Sequence, residues 1–230
     1  MIHDLIPRQG AFFKANLHAH STVSDGYFTP AQLKELYKAK GYSILAFTDH
    51  ELLVDHSDLD DADFLTITGM EYAFIEKENY AESRTIELNL FAKDQHNTTQ
   101  ICYKPSYVIH GEKWRAPLVK SVGEHYDRVY TVECIQKVID EANANGFLVS
   151  LNHPGYSMES PEFFGQLDGL FAMEIYNHIS FVAGACLTII LQCMRTCCAE
   201  VSGCTVLRQT IAIAGIRTVQ LTVVTDMADL

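Results

Sequence analysis

The chain has 230 residues, of which 48% are hydrophobic and 20% charged, and its net charge is −12. This balance excludes a disordered, collagen-like or coiled-coil protein and leaves one large domain, or two small ones, with a sizeable core. The excess of carboxylates argues against stable nucleic-acid binding, because a phosphate backbone is normally met by a basic surface.

The first ten residues carry charges and Pro7 but no apolar core of signal-peptide length, which reads as a cytoplasmic chain. The longest uncharged stretch, Ile179 to Met194, is shorter than the ~20 residues needed to span a bilayer, so no membrane partner is expected. Seven cysteines without a secretion signal read as reduced thiols. The oligomeric state is left open.

In chain order, Ala11 to His18 reads as a strand. Thr29-Pro30 then opens a helix with Leu33, Leu36 and Tyr37 on its apolar stripe and Gly41 just past its end. Ser43 to Thr48, Leu65 to Tyr72 and Thr85 to Ala92 read as three further strands. Residues 94–130 form a long mixed insertion, holding Trp114, over one end of the sheet. Thr131 to Asn145 has the spacing of an amphipathic helix, with Val132, Ile135, Val138, Ile139 and Ala142 on one face. Phe147 to Asn152 and Leu170 to Tyr176 are the last strands. Alternating strands and helices predict an α/β domain with a mostly parallel sheet.

The polar residues fall where these strands end. His18 and His20 follow the first strand, Asp49 and His50 the second, and Glu71 ends the third. His153 and His178 end two later ones. In α/β sheets and barrels, carboxyl ends of parallel strands gather functional groups at one mouth. Imidazole and carboxylate donors together suit zinc, manganese or iron. A single histidine at a strand end is more often a hydrogen-bonded surface group, but five clusters together, His18-x-His20, Asp25-Gly26, Asp49-His50, Glu71 and Asn152-His153-Pro154, point to a shared metal site. His3, His56, His96, His110 and His125 lack this placement and read as surface or loop residues. No G-x-S-x-G and no P-loop is present, so serine-hydrolase and nucleotide-kinase readings have no support.

The ordered motifs Asn16-Leu17-His18-Ala19-His20-Ser21, Ser24-Asp25-Gly26, Phe47-Thr48-Asp49-His50, Gly69-Met70-Glu71 and Asn152-His153-Pro154 resemble those of the PHP (polymerase and histidinol phosphatase) family of metal-dependent phosphoesterases. The resemblance covers residues 14–178 and implies an α/β fold, a distorted (β/α)7 barrel. It implies two or three divalent metal ions at the C-terminal mouth, manganese, iron or zinc. It also implies hydrolysis of a small phosphorylated substrate by a metal-activated water.

Carried over by position, the implied metal ligands are His18, His20, Asp25, His50, Glu71 and His153, with Glu71 bridging. Glu87 stands where many members have a histidine, and His178 is a further candidate. Asp49, His50 and Glu71 form the candidate catalytic group, with Asp49 orienting His50 or a water. Arg84, Lys113 and Arg115 are candidate cations for the phosphate.

The domain so defined spans residues 1–183, and the composition of residues 184–230 departs from it. Five of the seven cysteines lie between Cys186 and Cys204, and acidic residues nearly vanish until Asp226. The family's late Asp-x-His is absent, so the barrel reads as incomplete and a non-catalytic metal-binding module is the alternative reading. The degenerate codons of residues 191–215 offer an explanation. Read as the last base of one codon with the first two of the next, they are compatible with a helix, a strand and a terminal Asp-Asp-x-His. The tail therefore reads as out of frame.

Overall fold

The computed structural model describes residues 13–77, 83–157, 159–174 and 177. The tail and His178 lie outside the described residues, as does the start of the first predicted strand. Strand β1 (Ala15–Asn16) leads through a loop to helix α1 (Pro30–Ala39), then β2 (Ile44–Phe47), β3 (Leu65–Ile75) and β4 (Thr85–Ala92). Within the insertion, β5 (Gln100–Ile101) and β6 (Ser121–Val122) pair in parallel. Helix α2 (Val132–Ala144), β7 (Phe147–Leu151), the short α3 (Pro161–Phe164) and β8 (Ala172–Met173) complete the described order.

Six strands form one curled sheet in the order β1-β2-β3-β4-β7-β8. A mixed α/β half-barrel results, and the seven strands expected of the barrel are not reached among the described residues.

The sheet is mostly parallel, as the sequence predicts, with one reversed strand among the described residues. Strand β4 runs antiparallel to both β3 and β7. The reason is the connection: only residues 76–84 separate β3 from β4, whereas a parallel crossover needs a dozen residues or more. The backbone N–H of Glu76 donates to the Arg84 carbonyl at 3.0 Å, closing this short return. Strand β3 also continues past Glu71 to Ile75, so Glu71 lies inside the strand and not at its end.

Strand alternation divides the sheet into two faces. Met70, Tyr72 and Phe74 of β3, Ile86, Leu88 and Leu90 of β4, and Phe147, Val149 and Leu151 of β7 share one core. Helix α2 covers them with Cys134, Ile135, Val138, Ile139 and Ala142. The opposite face carries a second core of Ala15, Leu17, Ile44, Ala46, Ile67 and Phe91. On that face, Glu71 is paired across the strands with Asn89, and Asn89 with Ser150. The polar residues thus form a layer at one end of an apolar interior.

Local signals place the two long helices. Thr29 and Gln32 form a reciprocal capping box, and Pro30 opens α1. Leu33 then packs with Ala19, Leu45, Phe47 and Phe64. The Thr131 hydroxyl caps α2 by accepting the Cys134 N–H.

The insertion is tied down by buried groups. Val23, Leu52, Tyr103 and Val108 make a small core between it and the strand ends. The Gln100 amide donates to the Glu51 carbonyl and accepts the Leu53 N–H, both at 3.0 Å. Arg128 pairs with Glu51 at 2.8 Å, their side chains only 4% and 9% exposed. Its guanidinium lies 4.0 Å from the Tyr107 ring centre and 4.7 Å from that of Tyr72. Removing one member of a buried pair leaves the other uncompensated. We expect Arg128→Ala to lower stability in urea denaturation by about 3–5 kcal/mol. A loss below about 1 kcal/mol, the range of an exposed pair, would show that this contact does not hold the insertion.

Candidate metal centre

The site is assembled from the segments that follow β1, β2, β7 and β8 and from strands β3 and β4 themselves. The segment after β1 supplies His18 and His20, and their rings lie 5.2 Å apart between centres. Ala19 between them is clamped to Thr48: the Thr48 N–H donates to the Ala19 carbonyl at 2.9 Å, and the Ala19 N–H to the Thr48 hydroxyl at 3.1 Å. The next turn brings Asp25 back to His20, Oδ1 to Nδ1 2.7 Å. That turn needs Gly26, because a Cβ there would lie 2.1 Å from the His20 carbonyl oxygen. His50 follows β2 and bridges to Glu71 through the backbone.

Glu71 is 1% exposed and stands at the centre. Its Oε1 lies 3.2 Å from His18 Nε2 and 3.4 Å from His153 Nε2. Its Oε2 lies 2.9 Å from His20 Nε2 and 3.4 Å from His50 Nδ1. One carboxylate therefore divides its two oxygens between two pairs of imidazoles. The Asn152 amide donates to Oε1 at 2.6 Å and fixes the carboxylate.

Strand β4 contributes Glu87, whose Oε2 lies 3.3 Å from His153 Nε2. Because β4 enters antiparallel, Glu87 arrives near the start of its strand and not at a carboxyl end. His153 has a positive φ of 24°, a sparsely populated conformation for a non-glycine residue. Its N–H donates to Glu174 Oε2 at 3.0 Å.

The protonation balance reflects crowded charge. Burial alone would raise the Glu71 carboxyl, but the surrounding imidazoles, His18 foremost, hold it well below its usual range. Burial pushes the His18 imidazole down, yet Glu71 and Glu174 outweigh this and hold it well above its ordinary value. Burial opposes the charged form of His20 as well, but Asp25 and Glu71 raise it to about 9. His50 is lowered by burial. Burial, reinforced by Glu71, raises Glu87 to about 7.

Four imidazoles and the carboxylates of Asp25, Glu71, Glu87 and Glu174 thus face one another. Divalent cations replace protons in such donor sets. The geometry fits them in two places. Donor atoms of His18, Glu71 and His153, and those of His20, His50 and Glu71, lie within 4.8 Å of one another in each group. Two orphaned acceptors, Asn89 Oδ1 and Asn152 Oδ1, are buried without a partner among the described residues.

The structure brings His18, His20, Asp25, His50, Glu71, Glu87 and His153 together. It gives other residues different surroundings from those expected. Asp49 does not face His50: its Oδ1 accepts the N–H groups of Ser21 and Ser24 and the Ser24 hydroxyl, and its Oδ2 accepts the Ser21 hydroxyl, all within 3.1 Å. Its work is to hold the loop between His20 and Asp25.

Arg84 is paired with Glu76 and Glu159 at 2.6 and 3.0 Å. Arg115 is paired with Glu112 and lies over Trp114, and Lys113 is exposed on a short 3-10 turn. None of these cations contacts the histidine cluster. His56, read as a surface or loop residue, is buried against Phe47.

Glu174 was missed. It follows β8 and pairs with His18 Nδ1 at 3.4 Å, behind the ring nitrogen that faces Glu71. A carboxylate in this position fixes the tautomer and orientation of a ligating imidazole. The predicted strand runs on to Tyr176 and so places Glu174 inside it, whereas β8 stops at Met173 and leaves Glu174 just past its end.

No protein-family model matches the chain, and no curated protein matches it. Among solved structures, it is similar to a Bifidobacterium adolescentis protein whose name assigns it, by inference, as a metal-dependent phosphoesterase. Identity is 15%, the TM-score is 0.54, and the match covers 84% of this chain and 85% of that one. A two-domain protein of Bacteroides vulgatus containing a PHP-like metal-dependent phosphoesterase also matches, with 18% identity and a TM-score of 0.40, over 71% of this chain and 44% of that one. The chain therefore shares the fold of the Bifidobacterium protein over most of both lengths.

Proposed function

We propose that this chain is a PHP-type, divalent-metal-dependent phosphoesterase that hydrolyses a small phosphorylated substrate. The observation that carries the reading is the division of the Glu71 oxygens between His18 and His153 on one side and His20 and His50 on the other. A shared carboxylate between two imidazole pairs is the donor arrangement of a two-metal site. Manganese, iron and zinc all suit these donors. Glu87 beside His153 leaves room in the reading for a third ion. The fold it shares with a protein named as a phosphoesterase supports the same conclusion.

In this reading His18, His20, His50, His153 and Glu71 hold the metal ions, with Glu87 beside His153. When bound, such ions supply Lewis acidity toward a phosphoryl group and an acidified water for in-line attack. The chain's own residues do the positioning. Glu174 and Asp25 orient His18 and His20 from behind. Asn152 fixes the rotation of Glu71, and Asp49 holds the loop that carries Asp25. No seryl or cysteinyl nucleophile is required.

Three outcomes follow. Purified protein loaded with Mn²⁺ or Zn²⁺ should retain metal after desalting and release p-nitrophenol from p-nitrophenyl phosphate. Glu71→Gln should lose both properties. Retained metal without hydrolysis by the wild-type chain would instead make it a non-catalytic metal-binding module, and full activity in Glu71→Gln would remove the site itself.

Chelation should lower the melting temperature, and restoring metal at 100 times its Kd should return about 2.7 kcal/mol of stability. A melting temperature indifferent to metal contradicts the donor assignment.

Asp49→Asn touches no proposed ligand, yet it replaces an acceptor oxygen with a donor facing Ser21 and Ser24. Metal affinity measured by competition with a chromogenic chelator should fall by about 10–100-fold. Unchanged affinity would mean that the loop is held in place without Asp49.

A further inference from the structure

The histidines of the site form part of a longer row of rings. Tyr156 stands 5.7 Å from His153, His153 5.6 Å from His18, His18 5.2 Å from His20, His20 4.5 Å from His50, and His50 6.5 Å from His110, between ring centres. The last ring comes from the insertion and has no part in the donor set above. We propose that His110 is a substrate-contacting residue, donating an imidazole N–H to an oxygen of the phosphoester at the His50 side of the mouth. This rests on the phosphoesterase reading and adds to it a phosphate contact supplied by the insertion.

Three observations support the assignment. The first is placement. Gly111, next in the chain, has φ +52°, and a Cβ there would lie 2.2 Å from the carbonyl oxygens of both Val23 and Ser24. The Glu112 N–H donates to the Val23 carbonyl at 2.9 Å. The turn that carries His110 is therefore pressed against the loop that carries Asp25, and only glycine permits that approach. Val108, two residues earlier, is buried with Val23, Leu52 and Tyr103. His110 is thus anchored on both sides.

The second observation is availability. The His110 side chain is exposed and forms no hydrogen bond or ion pair with a protein group among the described residues. An imidazole carries at least one N–H donor in either tautomer and in its protonated form, so the contact can be made in each.

The third is need. A phosphoester approaching this mouth meets Asp25, whose side chain is 44% exposed, on a chain of net charge −12. The arginines of the described residues are engaged elsewhere and do not offset this. Arg84 is engaged by Glu76 and Glu159, Arg115 by Glu112, and Arg128 by Glu51. An N–H donor already set beside His50 is the side chain placed to help the metal ions hold the anion.

The test uses inorganic phosphate as the probe and the full chain loaded with Mn²⁺. Metal content is measured by plasma mass spectrometry and phosphate affinity by titration calorimetry for wild type, His110→Ala and His110→Gln. Gln keeps an N–H donor, and the exposed position makes misfolding of either variant unimportant. His96→Ala, an exposed histidine paired with Asp55, serves as the control.

The proposal expects unchanged metal content, phosphate binding weakened about ten-fold in His110→Ala, and recovery to within about three-fold in His110→Gln. Affinity within about two-fold of wild type in His110→Ala overturns it. So does a loss of metal in that variant, which would make His110 a metal ligand instead. If the wild type binds phosphate through His110 but hydrolyses no phosphoester, the enzymatic reading fails and the contact stands. If the metal-loaded wild type binds no phosphate, both fall.

Discussion

A carboxylate buried to 1% exposure cannot stand alone, and the arrangement around Glu71 follows from that constraint. An ionised carboxyl group in a protein interior requires paired charge and hydrogen bonds. Glu71 has four imidazole nitrogens within 3.4 Å and an amide donor at 2.6 Å. Those imidazoles in turn are partnered by Asp25, Glu87 and Glu174. These groups together have the chemistry to bind divalent cations. A structural ion-pair network of this size would be an expensive way to fill the end of a sheet with no ligand to receive.

The sheet makes the cluster possible. Glu71, Asn89 and Ser150 lie side by side on one face because three neighbouring strands place them in register. The opposite face is committed to α2 and its apolar partners. A one-residue slip of β4 would exchange Glu87 and Asn89 for Ile86 and Leu88, burying apolar groups at the site and carboxylates in the core. The two functions of the sheet, core and site, therefore specify the same register. The insertion is held to this framework by the Arg128–Glu51 pair, the Gln100 amide and the close approach at Gly111. It brings His110 to the mouth from a segment that contributes none of the residues around Glu71.

Much of this was legible in the sequence, and the reason is locality. Thr29-Pro30 with Gln32 specifies a helix start through contacts three residues apart. Val132 to Ala142 specifies an apolar helix face by its spacing. His18, His20, His50 and His153 are visible because each follows a segment whose local pattern is already that of a strand. What was not legible depends on long-range pairing. The direction of β4 is set by the length of its connection, and with it the arrival of Glu87 at the mouth from the start of a strand. The partners of Asp49 lie 25 and 28 residues away. The neutralisation of Arg84 by Glu159 and the placement of His110 beside His50 likewise join segments that share no local pattern. Glu174 obeys the same strand-end rule as the histidines, but the sequence pattern extends the strand to Tyr176 and hides that it follows Met173.

The claim on which the rest depends is that Glu71 joins two metal positions. Anomalous diffraction from crystals of the full chain grown with Mn²⁺ would test it most directly. Two anomalous peaks should flank the Glu71 carboxylate, one on the His18 and His153 side and one on the His20 and His50 side. An ordered, manganese-saturated crystal with no peak at Glu71, or with its only peaks elsewhere in the chain, would contradict the reading.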